Sequence, residues 1–268
     1  MAVKVATGVS DWISCRDRID VASTKAFFVE KGYINEKGFL SESEVQTIRD
    51  ELQRYREEVV PSIPSELVFY ENTSRPETLI RLERMHSHDD FFRRLSQSSA
   101  INGLADELLG KPCEPNNVQF FSKPPGAKAT PPHQDGQYFM HDKGMTFWLA
   151  LDTADKVNGC MFYVPESYKK GLLRHQKTTA LGFSQALVEY PAAFLETEIC
   201  MEASPGTLLG HHPYTVHRAG PNKDSTRWRK ALGITYWAKE CKTDKQHQAK
   251  YRSYHESLEA QLKAEGKI

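Results

Sequence analysis

The chain has 268 residues, of which 39% are hydrophobic, and this is enough to bury one substantial core, so we expect a single domain over residues 1–268. Lysine plus arginine and aspartate plus glutamate each number 35, and this balance disfavours a nucleic-acid or membrane-surface partner and favours a small molecule. Because the five cysteines form no CxxC pair and neither a signal-peptide core nor a membrane-length apolar stretch is present, we expect a cytoplasmic protein with reduced thiols.

Helical spacing dominates the N-terminal part of the chain, residues 1–110, which we expect to form mainly helical support. A helix is predicted over residues 23–31, where Gly32 ends it. Ser41 and Glu44 stand in the Ser-x-x-Glu order of a capping box, before apolar residues at helical spacing, namely Val45, Ile48, Leu52, Tyr55 and Val59. One or two further helices are predicted between residues 91 and 110.

Short apolar stretches separated by proline and glycine follow in residues 111–240, and they predict antiparallel strands. The stretches are Val118 to Phe121, Met145 to Leu151, Cys160 to Val164, Thr207 to Gly210 and Leu232 to Trp237. Strands at such intervals, with helices grouped before them, favour an α+β fold with a jelly-roll or barrel core over an alternating parallel sheet. The polar tail, within residues 241–268, predicts a surface helix from Thr243 to Gly266.

His133 and Asp135 lie two residues apart in a segment that we expect to be extended, where residues i and i+2 project to the same face. An imidazole and a carboxylate, completed by one histidine from a distant strand, form the facial triad that suits non-haem iron(II) and leaves coordination positions open. We predict His217 as the third ligand. The competing interpretation is that these histidines are ordinary polar residues in loops.

The segment His88-Asp89-Asp90 contains a second pair with the same spacing, His88 and Asp90. It precedes Phe91 and Phe92 at a predicted helix start. In a helix, residues i and i+2 diverge, and aspartate is favoured in the N-terminal turn. This pair therefore predicts a helix N-terminus rather than a metal site.

Two arginines, Arg227 and Arg229, stand between His217 and the apolar stretch at 231–237. A keto-acid co-substrate that chelates iron needs its distal carboxylate neutralised, and arginine binds a carboxylate through a rigid fork with a permanent charge. We predict Arg229 for this role because it lies deeper in the expected sheet. Arg227 faces the same way in a strand and stays the alternative.

Several segments, taken in order, carry a family resemblance: Phe27 to Tyr33, Phe39-Leu40-Ser41, His133-Gln134-Asp135, Asn158-Gly159-Cys160, Val164-Pro165-Glu166-Ser167 and His217 to Ala231. Together they resemble the phytanoyl-CoA dioxygenase (PhyH-like) family of iron(II)- and 2-oxoglutarate-dependent oxygenases. The resemblance covers residues 23–240 and implies a double-stranded β-helix core, cupin-like, flanked by N-terminal helices and a C-terminal helix. It also implies iron(II), 2-oxoglutarate and O2 as cofactor and co-substrates.

Carried over residue by residue, the resemblance assigns iron to His133, Asp135 and His217, and 2-oxoglutarate to Arg229. It places three further residues against the co-substrate: Gln119, Trp148 and Arg81. Each has a plain structural alternative, since Trp148 fits a core position, Gln119 can bond to a neighbouring strand and Arg81 can belong to a surface strand.

The chain departs from the family pattern in two places. Ala219 replaces the serine or threonine that often follows the distal histidine by two residues, so we expect that contact to be absent or to be supplied by Ser225 or Asn222. One extra residue also lies between His217 and the arginine, which keeps Arg227 under consideration.

The expected reaction is hydroxylation of an unactivated C–H bond in a small metabolite, with succinate and CO2 as co-products. The metabolite classes considered are a natural-product intermediate, an amino-acid-like compound and a phosphonate. Asp135 favours hydroxylation, because halogenating relatives lack a carboxylate at that position. Residues near the ligands are expected to line the substrate pocket, namely Phe121, Tyr138, Phe139, His141, His211, His212 and Tyr214. The alternatives are an acyl-CoA hydroxylase of the same family, a non-catalytic jelly-roll protein that binds a metabolite, and a zinc hydrolase.

Overall fold

The structure is a computed structural model that describes residues 19–72, 74–178 and 185–264. The predicted absence of a signal peptide concerns residues 1–18, which lie outside this range, as do Cys15 and the last two residues of the predicted tail helix. Among the described residues we find no helix with the length and hydropathy that a membrane crossing requires.

The N-terminal helices begin and end where the sequence provides caps. Helix α1 (Val21–Lys31) follows Asp20, whose carboxylate accepts backbone N–H groups of its first turn, and it ends at Gly32 in the left-handed conformation, with φ 81°. Helix α2 (Glu42–Arg54) has both hydrogen bonds of the predicted capping box and continues as a π-helical turn, Tyr55–Val59. Both predicted helices are therefore confirmed.

Three shorter helices complete this layer: α3 (Met85–His88), α4 (Asp90–Gln97) and α5 (Asn102–Leu109). Asp89 is the N-cap of α4, and its carboxylate accepts two backbone N–H groups of that helix at 2.9 and 3.3 Å. Asp89 and Asp90 thus begin a helix, as predicted, and His88 is the last residue of α3. The later helices are α6 (Gly136–Phe139), α7 (Ala192–Thr197), α8 (Lys239–Thr243) and α9 (Lys245–Ala264).

The strands of the described residues are β1 (Tyr33–Glu36), β2 (Val68–Tyr70), β3 (Leu79–Leu82), β4 (Cys113–Lys123), β5 (Thr130–His133), β6 (Gly144–Ala150), β7 (Met161–Tyr163), β8 (His175–Lys177), β9 (Gln185–Leu187), β10 (Ile199–Met201), β11 (Leu208–His211), β12 (His217–Ala219) and β13 (Arg229–Ala238). A seven-stranded sheet has the order β1-β11-β6-β13-β4-β3-β2, and a four-stranded sheet has the order β10-β7-β12-β5. Strands β8 and β9 form a separate pair. Every pairing is antiparallel.

Side chains alternate across the larger sheet, so its two faces contact different partners. On β13, Leu232, Ile234 and Tyr236 join the core that packs against the helices. Ala231, on the other face, joins a second core with Tyr163 of the smaller sheet. The two sheets therefore face each other as the predicted double-stranded β-helix (jelly roll), and they do not close into a barrel.

The five predicted apolar stretches lie in β4, β6, β7, β11 and β13, and the tail forms α8 and α9. The N-terminal part also contributes strands beside its helices, because β1, β2 and β3 belong to the larger sheet. These strands are only 4, 3 and 4 residues long, too short for alternation to reveal them in the sequence. The single-domain boundary, residues 1–268, stays a prediction.

Candidate active site

Strand pairing brings the two predicted histidine ligands together. His217 of β12 lies directly opposite His133 of β5, and their ring centroids are 4.1 Å apart. Asp135 follows β5 as the N-cap of α6, with helical backbone angles of φ −62° and ψ −27°, so a turn at the strand end, not an extended backbone, directs it. One ligating atom from each of these three residues lies within 4.8 Å of the others, and the structure contains no second such group among its described residues.

Hydrogen bonds fix both imidazoles in the form that binds a metal. The Nδ1 atom of His133 lies 2.8 Å from the carbonyl of Pro131, and that of His217 lies 3.0 Å from the carbonyl of Thr215. A carbonyl only accepts hydrogen bonds, so Nδ1 carries the proton and each Nε2 keeps its lone pair. Burial lowers the pKa of both histidines, which keeps them neutral. The Nε2 atoms lie 3.8 and 3.6 Å from Oδ1 of Asp135.

The second oxygen of Asp135 is occupied by other side chains. Oδ2 accepts a hydrogen bond from Thr146, and His211 Nε2 lies 3.0 Å away, while His211 Nδ1 lies 3.0 Å from the Tyr163 hydroxyl. Burial acts to raise the pKa of Asp135, but the interactions with the neighbouring imidazoles, led by His217, and the hydrogen bond from His211 outweigh it and hold the pKa well below its usual range. Asp135 is therefore a carboxylate that offers Oδ1 to a metal.

Thr146 and Tyr163 were not predicted from the sequence, and His211 was expected only among pocket-lining residues. The sequence signal for Thr146 was a hydroxyl-bearing side chain inside an apolar strand. All seven residues of β6 are buried, so this hydroxyl is buried with them. Polar groups in such strands need a partner. That Asp135 is this partner depends on strand register, which the sequence does not show.

Arg229 begins β13 and is buried, with 5% of its surface exposed. Its guanidinium carbon lies 5.2 Å from the Trp148 ring, and its Nε has no hydrogen-bond partner in the described part of the chain. Burial lowers the pKa of Arg229 to about 10. A buried cation with an unsatisfied donor requires an anion, and the distal carboxylate of 2-oxoglutarate fits this requirement.

Arg227 is engaged elsewhere, which weakens it as the alternative. Its guanidinium forms ion pairs with Asp155 at 2.7 Å and with Asp224 at 2.5 Å, and its side chain is 43% exposed. These contacts hold the turn before β13 together. Ser225 is exposed in the same turn, so its predicted contact with the co-substrate stays a prediction that its position does not support. The Asn222 amide donates to two backbone carbonyls, at 3.0 and 2.8 Å.

The other predicted co-substrate residues lie on strands of the larger sheet. Trp148 is buried and packs beside Arg229, and Gln119 of β4 lies opposite Gly233 of β13. Arg81 of β3 forms an ion pair with Glu83 at 2.8 Å, and its guanidinium stacks near two phenylalanine rings. All three stay predictions as co-substrate ligands.

Three of the predicted pocket-lining residues have different surroundings. The Tyr138 ring lies 6.4 Å from that of His133, beside the candidate metal ligands. The His212 ring packs instead against Tyr168, with centroids 4.9 Å apart. The His141 ring packs against Trp237 at 4.8 Å, near the C-terminal helix.

Comparison with known proteins shows the family to which this chain belongs. The family model of phytanoyl-CoA dioxygenase (PhyH) matches residues 28–231. A probable alpha-ketoglutarate-dependent hypophosphite dioxygenase of Stutzerimonas stutzeri is 28% identical over 220 residues, covering 79% of this chain and 76% of that protein. The methylphosphonate hydroxylase of Gimesia maris is 27% identical over 212 residues, covering 77% and 76%.

A solved structure supports the fold. The crystal structure of EctD from S. alaskensis with bound Fe superposes with a TM-score of 0.68 at 17% identity, covering 82% of this chain and 77% of that one. The family match covers most of the chain, and this superposition supports the fold. The chain therefore belongs to the phytanoyl-CoA dioxygenase family and is an iron(II)- and 2-oxoglutarate-dependent dioxygenase.

Proposed function

We propose that this enzyme hydroxylates an unactivated C–H bond of a small metabolite, with a short phosphonate as the first candidate. The observation that carries the proposal is the arrangement of His133, Asp135 and His217. Their three ligating atoms lie within 4.8 Å, two as imidazole lone pairs and one as a carboxylate oxygen. Such a set would hold iron(II) and leave coordination positions open for the co-substrate and oxygen.

Each residue has a separate task in this mechanism. His133 and His217 present Nε2, because backbone carbonyls hold their Nδ1 protons, and Asp135 presents one oxygen, because its other oxygen is hydrogen-bonded. Arg229 binds the distal carboxylate of 2-oxoglutarate and so orients its keto-acid end. Trp148 excludes water from that ion pair. Bound iron and 2-oxoglutarate supply oxidation by O2, with succinate and CO2 as co-products.

The substrate class rests on the relatives and on the burial of the site. Two relatives that cover more than three-quarters of this chain are named for small phosphorus compounds, hypophosphite and methylphosphonate. His133 and His217 are each only 3% exposed, and such enclosure suits a compact substrate. The acyl-CoA alternative is supported by the peroxisomal phytanoyl-CoA dioxygenase of Rattus norvegicus at 23% identity.

The co-substrate assignment is tested by anaerobic titration of the iron(II) enzyme with 2-oxoglutarate, following the metal-to-ligand charge-transfer band. We expect Arg229→Ala to weaken binding by about a hundredfold or more, because loss of one partner of a buried ion pair costs about 3 kcal/mol. Arg227→Ala is the matched control and should bind as the wild type does. Weaker binding in the Arg227 variant with unchanged binding in the Arg229 variant would reverse the assignment.

The substrate is tested by measuring succinate release and product formation with methylphosphonate, hypophosphite and phytanoyl-CoA, using His133→Ala as the inactive control. Succinate release that is coupled to a hydroxylated phosphonate, followed by phosphorus NMR, supports the proposal. Coupled turnover with the CoA ester only would favour the acyl-CoA alternative. Binding of iron and 2-oxoglutarate without coupled turnover on any of these compounds would contradict both the phosphonate proposal and the acyl-CoA alternative.

A further inference from the structure

Lys123, the last residue of β4, is a buried cation close to Arg229. It is 6% exposed, and the register of β4 with β13 places it directly opposite Arg229. Residues opposite each other on paired strands project to the same side of the sheet. The Lys123 ammonium donates to the carbonyls of Lys128 and Gly220, both at 2.8 Å. Neither contact is a carboxylate. Asp152 acts on Arg229, where its charge favours the protonated guanidinium, but burial outweighs it.

The packing around Lys123 prevents its ammonium from extending to water, as lysine side chains usually do. Gly159 has φ 93°, and a Cβ atom there would lie 2.8 Å from Lys123 Cδ and 2.6 Å from the carbonyl oxygen of Gly220. Only a glycine leaves space for the lysine stem at this turn. The segment Asn158-Gly159-Cys160 therefore packs against the lysine side chain and helps to bury it.

Burial and the neighbouring charge of Arg229 are the main influences on the pKa of Lys123. Burial, followed by the charge of Arg229, lowers the pKa of Lys123 to about 7. Arg229 faces it from β13, and Cys160 faces it from the turn before β7. The Cys160 thiol acts in the opposite direction, and the other contacts are the two carbonyls. An anion placed between the two cations would favour the charged ammonium.

We propose that Lys123 and Arg229 together receive the distal carboxylate of 2-oxoglutarate, and that this binding is coupled to uptake of a proton by Lys123. The inference rests on the proposed function, because it requires 2-oxoglutarate at Arg229. The bound carboxylate favours the protonated amine, so by linkage 2-oxoglutarate binds more tightly to the protonated enzyme. Affinity is then constant below about pH 7 and falls by up to about tenfold per pH unit above it.

A matched pair of ligands isolates this effect from the titration of any other group. 2-Oxovalerate has the same chain length and keto-acid end as 2-oxoglutarate, with a methyl group in place of the distal carboxylate. We therefore compare their dissociation constants from the charge-transfer band of the anaerobic iron(II) enzyme between about pH 6 and about pH 9. Effects at the metal change both constants equally. The affinity ratio, 2-oxoglutarate over 2-oxovalerate, should fall above neutral pH in the wild type.

Two variants test the residue itself. Lys123→Met should remove the pH dependence of the ratio and weaken 2-oxoglutarate at low pH by about tenfold, the usual effect of losing a charged hydrogen bond. Lys230→Met removes a lysine adjacent to Arg229 on the opposite face of the sheet. It should change neither the pH dependence of the ratio nor the affinity for 2-oxoglutarate at low pH. Calorimetry of the wild type in buffers of different ionisation enthalpy measures proton uptake directly, so the test stands even if Lys123→Met fails to fold.

The outcomes separate this inference from the proposed function. A pH-independent ratio and binding without proton uptake, in a wild type whose 2-oxoglutarate binding still requires Arg229, would overturn the role of Lys123 alone. If the wild type does not bind 2-oxoglutarate, or Arg229→Ala binds it normally, the proposed function fails first. A falling ratio that persists in Lys123→Met would show that another group takes up the proton, which also contradicts the proposal.

Discussion

At the scale of single residues, Asp135 illustrates how a candidate metal ligand is oriented by groups outside the candidate ligand set. Thr146 and His211 come from β6 and β11, and both contact the same carboxylate oxygen. The remaining oxygen is left facing the imidazoles of His133 and His217. Tyr163 holds the His211 ring in turn. A chain of hydrogen bonds thus decides which oxygen is available.

We predict that His211→Leu weakens iron(II) binding by about tenfold to a hundredfold, the usual effect of removing a partner that orients a metal ligand. His211→Gln keeps a donor within reach of Asp135 and should recover part of this loss. Anaerobic iron(II) titration measures both. His212→Leu is the control, because that ring packs against Tyr168. Equal losses in the His211→Leu and His212→Leu variants would mean that general disruption, not orientation of Asp135, causes the effect.

Individual residues were predictable to different degrees. His133, Asp135, His217 and Arg229 were predicted from their spacing, their chemistry and the family resemblance, and the structure brings the first three together. His211 and Thr146 act through cross-strand contacts, and Lys123 acts through its position opposite Arg229. Their roles depend on register, and a shift of one residue would turn each side chain to the other face. The sequence alone does not contain that register.

At the scale of elements, Gly32 joins α1 and β1 to the segment that precedes His217. Its φ is 81°, its carbonyl accepts hydrogen bonds from His212 N–H at 2.9 Å and Thr215 Oγ1 at 2.7 Å, and a Cβ atom would lie 2.4 Å from Tyr168 Cδ1. The glycine was predicted as a helix end. Its second role, close contact with Tyr168, depends on tertiary packing.

Gly32→Ala should lower the free energy of unfolding by about 3 kcal/mol, since backbone strain adds to steric overlap. Gly38→Ala is a matched control: its φ is 65°, but nothing lies within 4 Å of the added Cβ. That change should cost only the strain of about 1 kcal/mol. Urea unfolding of both variants measures the difference. Similar losses would indicate that Tyr168 moves aside without cost.

Elements with strong local signals were predicted, and those without were not. The capping box of α2 and the apolar runs of β6 and β13 are read directly from spacing. Strands β5 and β12, which carry the histidines, are only 4 and 3 residues long. Segments this short have no resolvable period, and they are strands because the neighbouring strands pair with them.

At the scale of the whole molecule, the site joins parts of the chain that are far apart in sequence. His133 and His217 meet only because β5 and β12 are neighbours in the smaller sheet, whereas Arg229 belongs to the larger sheet. The two sheets must therefore face each other before iron and 2-oxoglutarate can be bound together. Ligand binding and formation of the complete jelly roll are linked for this reason.

This linkage predicts that iron(II) and 2-oxoglutarate stabilise the whole fold. Each ligand at about a hundred times its dissociation constant should raise the free energy of unfolding by about 2.7 kcal/mol, since the unfolded chain has no assembled site. Anaerobic urea unfolding measures the effect. His133→Ala should lose the stabilisation by iron. Arg229→Ala should still be stabilised by iron, but 2-oxoglutarate at the same concentration should no longer stabilise it. Stabilisation by 2-oxoglutarate that survives in the Arg229 variant would show that Arg229 does not bind the distal carboxylate.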